Sequence, residues 1–216
     1  MLFRDRREAG RKLAERLGAF AGKDAIVLAL PRGGVPVGYE VARALGAPLD
    51  VLIVRKLGVP GEEELAMGAI ATGGGAWLNR EVIDSLGIGE AQVEAAMRAE
   101  LRELQRREMA FRDGRAPPVV RGRIALLVDD GLATGSTMRA AIRSLRERGP
   151  RSIVVAVPVG APSTCSVLAG EADALVCLAT PEPFFGVGQF YRDFRQTGDE
   201  EVRALLAAAE QPVTTP

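Results

Sequence analysis

The chain has 216 residues, 47% of them apolar and 26% charged, and its 28 acidic and 28 basic side chains cancel. That balance suits a packed globular core, gives no sign of disorder, and lacks the basic excess of a general nucleic-acid binder. Histidine is absent, which removes Ser-His-Asp and Cys-His catalysis and every His-ligated metal site.

The chain opens Met1-Leu2-Phe3-Arg4-Asp5-Arg6, without an apolar stretch of signal-peptide length, and no run of about 18 apolar residues occurs anywhere. A soluble cytoplasmic protein without membrane contact is expected. A first helix is predicted at about residues 7–17. Ala25-Ile26-Val27-Leu28-Ala29-Leu30 reads as a buried strand followed by the breaker Pro31-Arg32-Gly33-Gly34. A helix at 35–45, closed by Gly46, and a second strand at 49–54 follow. Arg55-Lys56 ends that strand, and Lys56 is one of only three lysines.

The segment 58–115 breaks the rhythm. Gly58-Val59-Pro60-Gly61-Glu62-Glu63-Glu64 reads as a flexible acidic loop. Residues 67–71 and 76–78 read as a hairpin around Thr72-Gly73-Gly74-Gly75. A long helix follows, with Val93, Met97, Leu101 and Leu104 at helical spacing and the pairs Glu94/Arg98 and Glu103/Arg107 exposed. Its Arg-rich far side is read as a solvated face. Further strands are predicted at 123–128, 152–157 and 174–178, and helices at 136–148, 163–169 and 199–209. Cys165 and Cys177 lie in apolar surroundings and are expected to be buried free thiols. Apolar runs alternating with amphipathic stretches are the pattern of βαβ units. The predicted fold class is therefore α/β, a parallel sheet flanked by helices, in one domain over 1–216.

The sharpest signal is Val128-Asp129-Asp130-Gly131-Leu132-Ala133-Thr134-Gly135-Ser136-Thr137. An apolar strand ends in two adjacent carboxylates, a loop of small and hydroxyl residues follows, and a helix begins. Backbone amides at a helix start, with the hydroxyls of Thr134, Ser136 and Thr137, make a phosphate site. Gly131 and Gly135 let the backbone approach the anion. Two carboxylates would repel a phosphate beside them, so they suit vicinal hydroxyls or a divalent cation. A ribose 5-phosphate satisfies both halves. The segment has neither the lysine and spacing of a Walker A loop nor a G-x-G-x-x-G fingerprint.

This stretch closely resembles the phosphoribosyl pyrophosphate (PRPP) motif of type I phosphoribosyltransferases. The resemblance implies that Asp129 and Asp130 contact the ribose 2- and 3-hydroxyls and are the catalytic acids. It implies that Ala133, Thr134, Gly135, Ser136 and Thr137 hold the 5-phosphate. Magnesium would be the cofactor, near Asp129 and Asp130 directly or through water. The loop of Arg32, Gly33 and Gly34 falls where the family places its pyrophosphate loop, and a cis peptide bond is expected between Leu30 and Gly34, with Pro31–Arg32 the first candidate. Arg55 and Lys56 suit pyrophosphate as well, or are a solvated pair. Residues 58–75 resemble the mobile loop that closes over the family's site, and are expected to be the most mobile internal segment without ligand.

Residues 181–198 form a C-terminal hood in this reading. Five of the chain's ten aromatic residues fall in 181–194. They are a plug on the core, a face that stacks on a flat ring, or both; Phe184, Phe185 and Tyr191 are the base-stacking candidates. Family members acting on 6-oxopurines carry an acid where this chain has Ala133. The implied partners are PRPP and a nitrogenous base, whose identity stays open, as does a homodimer. Alternatives are a non-catalytic regulator that senses PRPP and a phosphohydrolase using the same cradle.

Overall fold

Residues 2–112 and 116–210 are described by a computed structural model. Its central sheet is built from the short apolar runs. These are β1 (Ala25–Ala29), β2 (Leu49–Val51), β6 (Ile124–Val128), β7 (Ser152–Val159) and β8 (Ala174–Ala179), all parallel in the order β2-β1-β6-β7-β8. Every residue of β1 and β6 is buried, as expected for parallel strands covered on both faces.

Alternation along the strands assigns the two faces. Val27, Leu126, Val128 and Val154 pack with Leu13 and Leu17 of the first helical segment, α1 (Arg6–Arg16) and its cap, and with Val37 and Val41 of α2 (Gly34–Leu45). Leu28, Leu127 and Val155 point the other way, onto Met138, Ile142 and Leu145 of α5 (Ser136–Arg146) and Leu168 of α6 (Pro162–Glu171). The result is the predicted three-layer α/β arrangement. Cys165 is buried and Cys177 half-buried, both as free thiols; burial holds the Cys177 thiol up at about 12.

A second sheet departs from the sequence reading. The strand expected at 49–54 breaks after Val51, and the chain re-enters as β3 (Val54–Val59), paired antiparallel with β4 (Glu62–Ala71), which pairs with β5 (Gly75–Leu78). Arg55 and Lys56 therefore do not end a parallel strand; they lie inside β3. The expected loop at 58–64 is the turn of the β3–β4 hairpin, and 58–75 is hydrogen-bonded strand over most of its length. The physical reason is burial: Leu57, Val59, Met67 and Ile70 enter a core shared with α3 (Arg80–Ser85), α4 (Glu90–Arg112) and α7 (Asp199–Glu210). The β4–β5 hairpin itself matches the prediction. On α4 the expected pairs form, Arg98 with Glu94 at 3.1 Å and Arg107 with Glu103 at 2.9 Å. Leu101, expected on the apolar face, is exposed, and residues 113–115 of this segment lie outside those described.

The hood is tied to the N-terminal residues. Leu2 and Phe3 amides donate to the Phe190 carbonyl, and the Arg192 and Asp193 amides donate back to the carbonyls of Phe3 and Arg4. Phe3, Phe190 and Tyr191 bury together against Ala9 and Val159. Among the described residues, no helix is long and apolar enough to cross a membrane.

Candidate active site

Neighbouring parallel strands β1 and β6 end side by side, with the Leu30 amide donating to the Val128 carbonyl at 2.9 Å. The loops that follow both strands therefore meet at the carboxyl edge of the sheet, where open α/β folds bind ligands. One loop is 129–135 and the other is 31–33; each leads into a helix.

The two loops touch through glycine. A Cβ built on Gly33 would fall on the Asp130 carboxylate, and one on Gly34 would lie 2.7 Å from the Val128 carbonyl oxygen and 2.9 Å from Asp129 Cα. Only backbone fits there, so the predicted pyrophosphate loop is brought against the predicted acids. The Pro31–Arg32 bond is cis, the first of the expected positions. Gly34→Ala is expected to lower stability by about 1–3 kcal/mol, as overpacking against backbone does. Its affinity for PRPP should drop too, because the loop must retreat from Asp129. Thermal melts and titration of the variant check both; parental values in both would show the close packing to be irrelevant.

Asp129 and Asp130 sit at the sheet edge among low-dielectric surroundings. Burial, and then the neighbouring Asp130, push the Asp129 carboxyl well above the usual range. Burial also raises Asp130, and Arg6 works against that rise. Arg6 Nε donates to Asp130 at 2.8 Å, with the two side chains only 11% and 14% exposed. The same guanidinium donates to the Arg195 carbonyl at 2.7 Å and lies 3.9 Å from the Phe194 ring centroid. Arg6 was not singled out in the sequence. It lies 124 positions from Asp130, and nothing local marks it among 28 basic residues.

Past the acids, Leu132 pairs with Gly160 next to β7, and Thr164 Oγ1 donates to the Ala133 carbonyl at 2.6 Å. These bonds pin the loop from behind. Gly135, at φ +71°, is in the left-handed region that favours glycine and opens α5 with no side chain of its own to cap it; of the first-turn amides, that of Ser136 donates to Thr134 Oγ1 at 3.5 Å. Ala133, Thr134, Ser136 and Thr137 are exposed around that helix start. An anion there meets amide donors and hydroxyls together.

The remaining candidates divide. Arg32 is exposed and reaches Asp199 at 3.3 Å. Arg55 is tied to Glu100 of α4 at 2.6 Å. Lys56 lines a cleft with Ser136, Arg139 and Arg143. Tyr191 is not available for stacking: its ring is buried, 5.4 Å from Phe3 and 5.1 Å from Phe194 between centroids, and its hydroxyl donates to the Asp130 carbonyl at 2.7 Å. The aromatic cluster offered both a plug and a stacking face, and Tyr191 belongs to the plug. Phe184 leans on Phe190 at 5.2 Å, while Phe185 is 87% exposed.

A magnesium ion takes oxygen ligands and keeps several waters and substrate oxygens. Among the described residues no group of three or more acidic or thiol side chains could cage a metal. Two carboxylates at one edge of an open site fit an ion whose other ligands come from substrate and water.

The chain matches the Phosphoribosyl transferase domain family over residues 5–178. It is 52% identical over 210 residues to Rv0571c of Mycobacterium tuberculosis H37Rv and to MT0597 of strain CDC 1551, both provisionally named phosphoribosyl transferases. These matches cover 97% of this chain and 47% of each relative, so the chain spans about half their length. The crystal structure of TT1426 from Thermus thermophilus is similar at 42% identity with a TM-score of 0.88, covering 96% of this chain and 99% of that one.

Proposed function

The chain belongs to the phosphoribosyl transferase domain family, and from that premise we propose that it transfers the phosphoribosyl group of PRPP to a nitrogenous acceptor, releasing pyrophosphate. The observation that carries this reading is the meeting of the Gly33–Gly34 backbone with Asp129 and Asp130 beside a helix start opened by a glycine.

In this reading the amides and hydroxyls of 133–137 hold the 5-phosphate, and Asp129 accepts from the ribose hydroxyls. Asp130 acts beside it, held in place by Arg6. Gly33 and Gly34 bring backbone to the pyrophosphate, with Arg32 at the rim. Phe185 remains the side chain open to stack on a flat acceptor. Magnesium, when bound near Asp129 and Asp130, neutralises the leaving pyrophosphate. The C1–O bond to pyrophosphate breaks through an oxocarbenium-like state as the acceptor nitrogen forms its bond to C1, and the acceptor's proton leaves to solvent. Positioning and electrostatics supply the catalysis, which agrees with the absence of histidine.

The test is pyrophosphate release from PRPP and magnesium across a panel of nitrogenous bases. Turnover with one of them is expected; PRPP binding without turnover of any would favour the sensing regulator instead. Guanine and hypoxanthine are expected to be poor acceptors, because Ala133 stands where oxopurine enzymes carry an acid. Efficient turnover of either would refute that inference.

A further inference from the structure

The phosphate cradle is not closed behind its expected ligand. From Ser136 a cleft of ≈ 280 Å³ runs between α5 and the antiparallel sheet, lined by Lys56, Trp77, Asn79, Ser136, Arg139 and Arg143 among others. We propose that this groove receives the second and third phosphates of nucleoside 5′-di- and triphosphates whose first phosphate occupies the cradle, so that such nucleotides compete with PRPP. The proposal rests on the reading that residues 133–137 hold a 5-phosphate.

Geometry comes first. Ser136 is the first residue of α5 and belongs to both cradle and groove. Arg139 and Arg143 share its helix face, and at about 1.5 Å rise per residue they stand roughly 4.5 and 10 Å further along the axis. A phosphate chain leaving the cradle along the helix meets one guanidinium and then the next, with Lys56 reaching in from β3.

Charge agrees. One carboxylate, Glu171, stands against the three cations: its Oε1 accepts from Arg139 Nη2 at 2.6 Å and lies 3.5 Å from Arg143 Nη2. It orients the two guanidiniums and neutralises one charge, leaving a positive excess. Arg143 also lies 4.2 Å from the Trp77 ring centroid, which holds the group flat. Lys56 is exposed and makes no ion pair among the described residues. A cation kept in a cleft without a protein anion suits a ligand anion. A monophosphate does not reach Arg143, so the groove has no use for the transfer reaction itself.

The experiment is calorimetric titration of the protein, without magnesium, with AMP, ADP and ATP and with UMP, UDP and UTP, so that only the phosphate chain changes within each series. The diphosphate is expected to bind about tenfold more tightly than its monophosphate, the worth of about one charge-assisted hydrogen bond. The triphosphate should bind no more weakly than the diphosphate. The gain should shrink with added salt, and PRPP added together with magnesium should displace both. Arg139→Gln and Lys56→Met should each bring the di-to-monophosphate ratio most of the way to one; reading a ratio within each variant cancels any general loss of folded protein. Equal affinities, a gain that survives both variants, or nucleotide that PRPP does not displace would each overturn the proposal. If PRPP with magnesium does not bind, the cradle reading falls with it; if it binds and the diphosphates gain nothing, this inference alone falls.

Discussion

Asp129→Asn and Asp130→Asn are each expected to weaken magnesium-dependent binding of PRPP about tenfold or more while leaving the fold intact. Each substitution keeps the shape and removes the charge. A charge-assisted hydrogen bond contributes about 1.5–3 kcal/mol, and about 1.4 kcal/mol is tenfold in affinity. The two variants should differ. Asp130 is already held by Arg6, whereas Asp129 makes no ion pair among the described residues and is the freer to face ribose and cation. The larger loss is therefore expected at Asp129.

Stability should move the other way for Asp129. Burial and the adjacent acid raise its carboxyl above the ordinary value, so the folded chain binds a proton more readily than the unfolded one. Its favourable contribution is complete below the unfolded value and is lost as pH rises through the folded one. At neutral pH without ligand, Asp129→Asn should therefore melt higher, by about 2–4 °C for each kcal/mol relieved at this chain length. The difference should fade in acid. Titration with and without magnesium and melts across pH 4–8 check these expectations. Parental binding in both variants would make the acids merely structural and remove the basis of the proposed function.

Arg6→Met is expected to be the most destabilising single change at the site. It strands Asp130 beneath the hood and strips one hydrogen bond from the Arg195 carbonyl and one stacking contact from Phe194. Removing one partner of a buried ion pair costs about 3–5 kcal/mol. Without the guanidinium the Asp130 carboxyl rises further, so the variant's deficit should grow as pH rises through that value and shrink as the acid is protonated. Arg6→Lys should recover only part of the stability, because an ammonium lacks the planar fork that spans a carboxylate, a carbonyl and a ring face. Denaturant melts of the three proteins between pH 5 and 8 measure this. A deficit under about 1 kcal/mol, the size of an exposed pair, or one independent of pH, would show that Arg6 does not hold Asp130.

The strands and helices around the site were legible because their signals are local. Ile124 to Val128 is an unbroken apolar run that only a doubly covered strand explains, and the acids, glycines and hydroxyls after it specify a loop and helix start by their own chemistry. The same holds for Gly33 and Gly34, whose spacing after β1 announced a turn. What the tertiary structure alone decided depends on long-range contact. Arg55 and Lys56 look like the end of a parallel strand until Leu57, Met67 and Ile70 pull the chain into a separate antiparallel sheet. Tyr191 looks like a stacking ring until Phe3 and Phe194 enclose it and its hydroxyl reaches the Asp130 carbonyl. Arg6 reaches Asp130 across 124 positions. Short apolar and turn patterns carry their own periodicity, so the residues themselves specify the sheet and the loop that opens α5. The partner of a buried charge is set by which surfaces the folded layers bring together, and that is written nowhere in the neighbouring sequence.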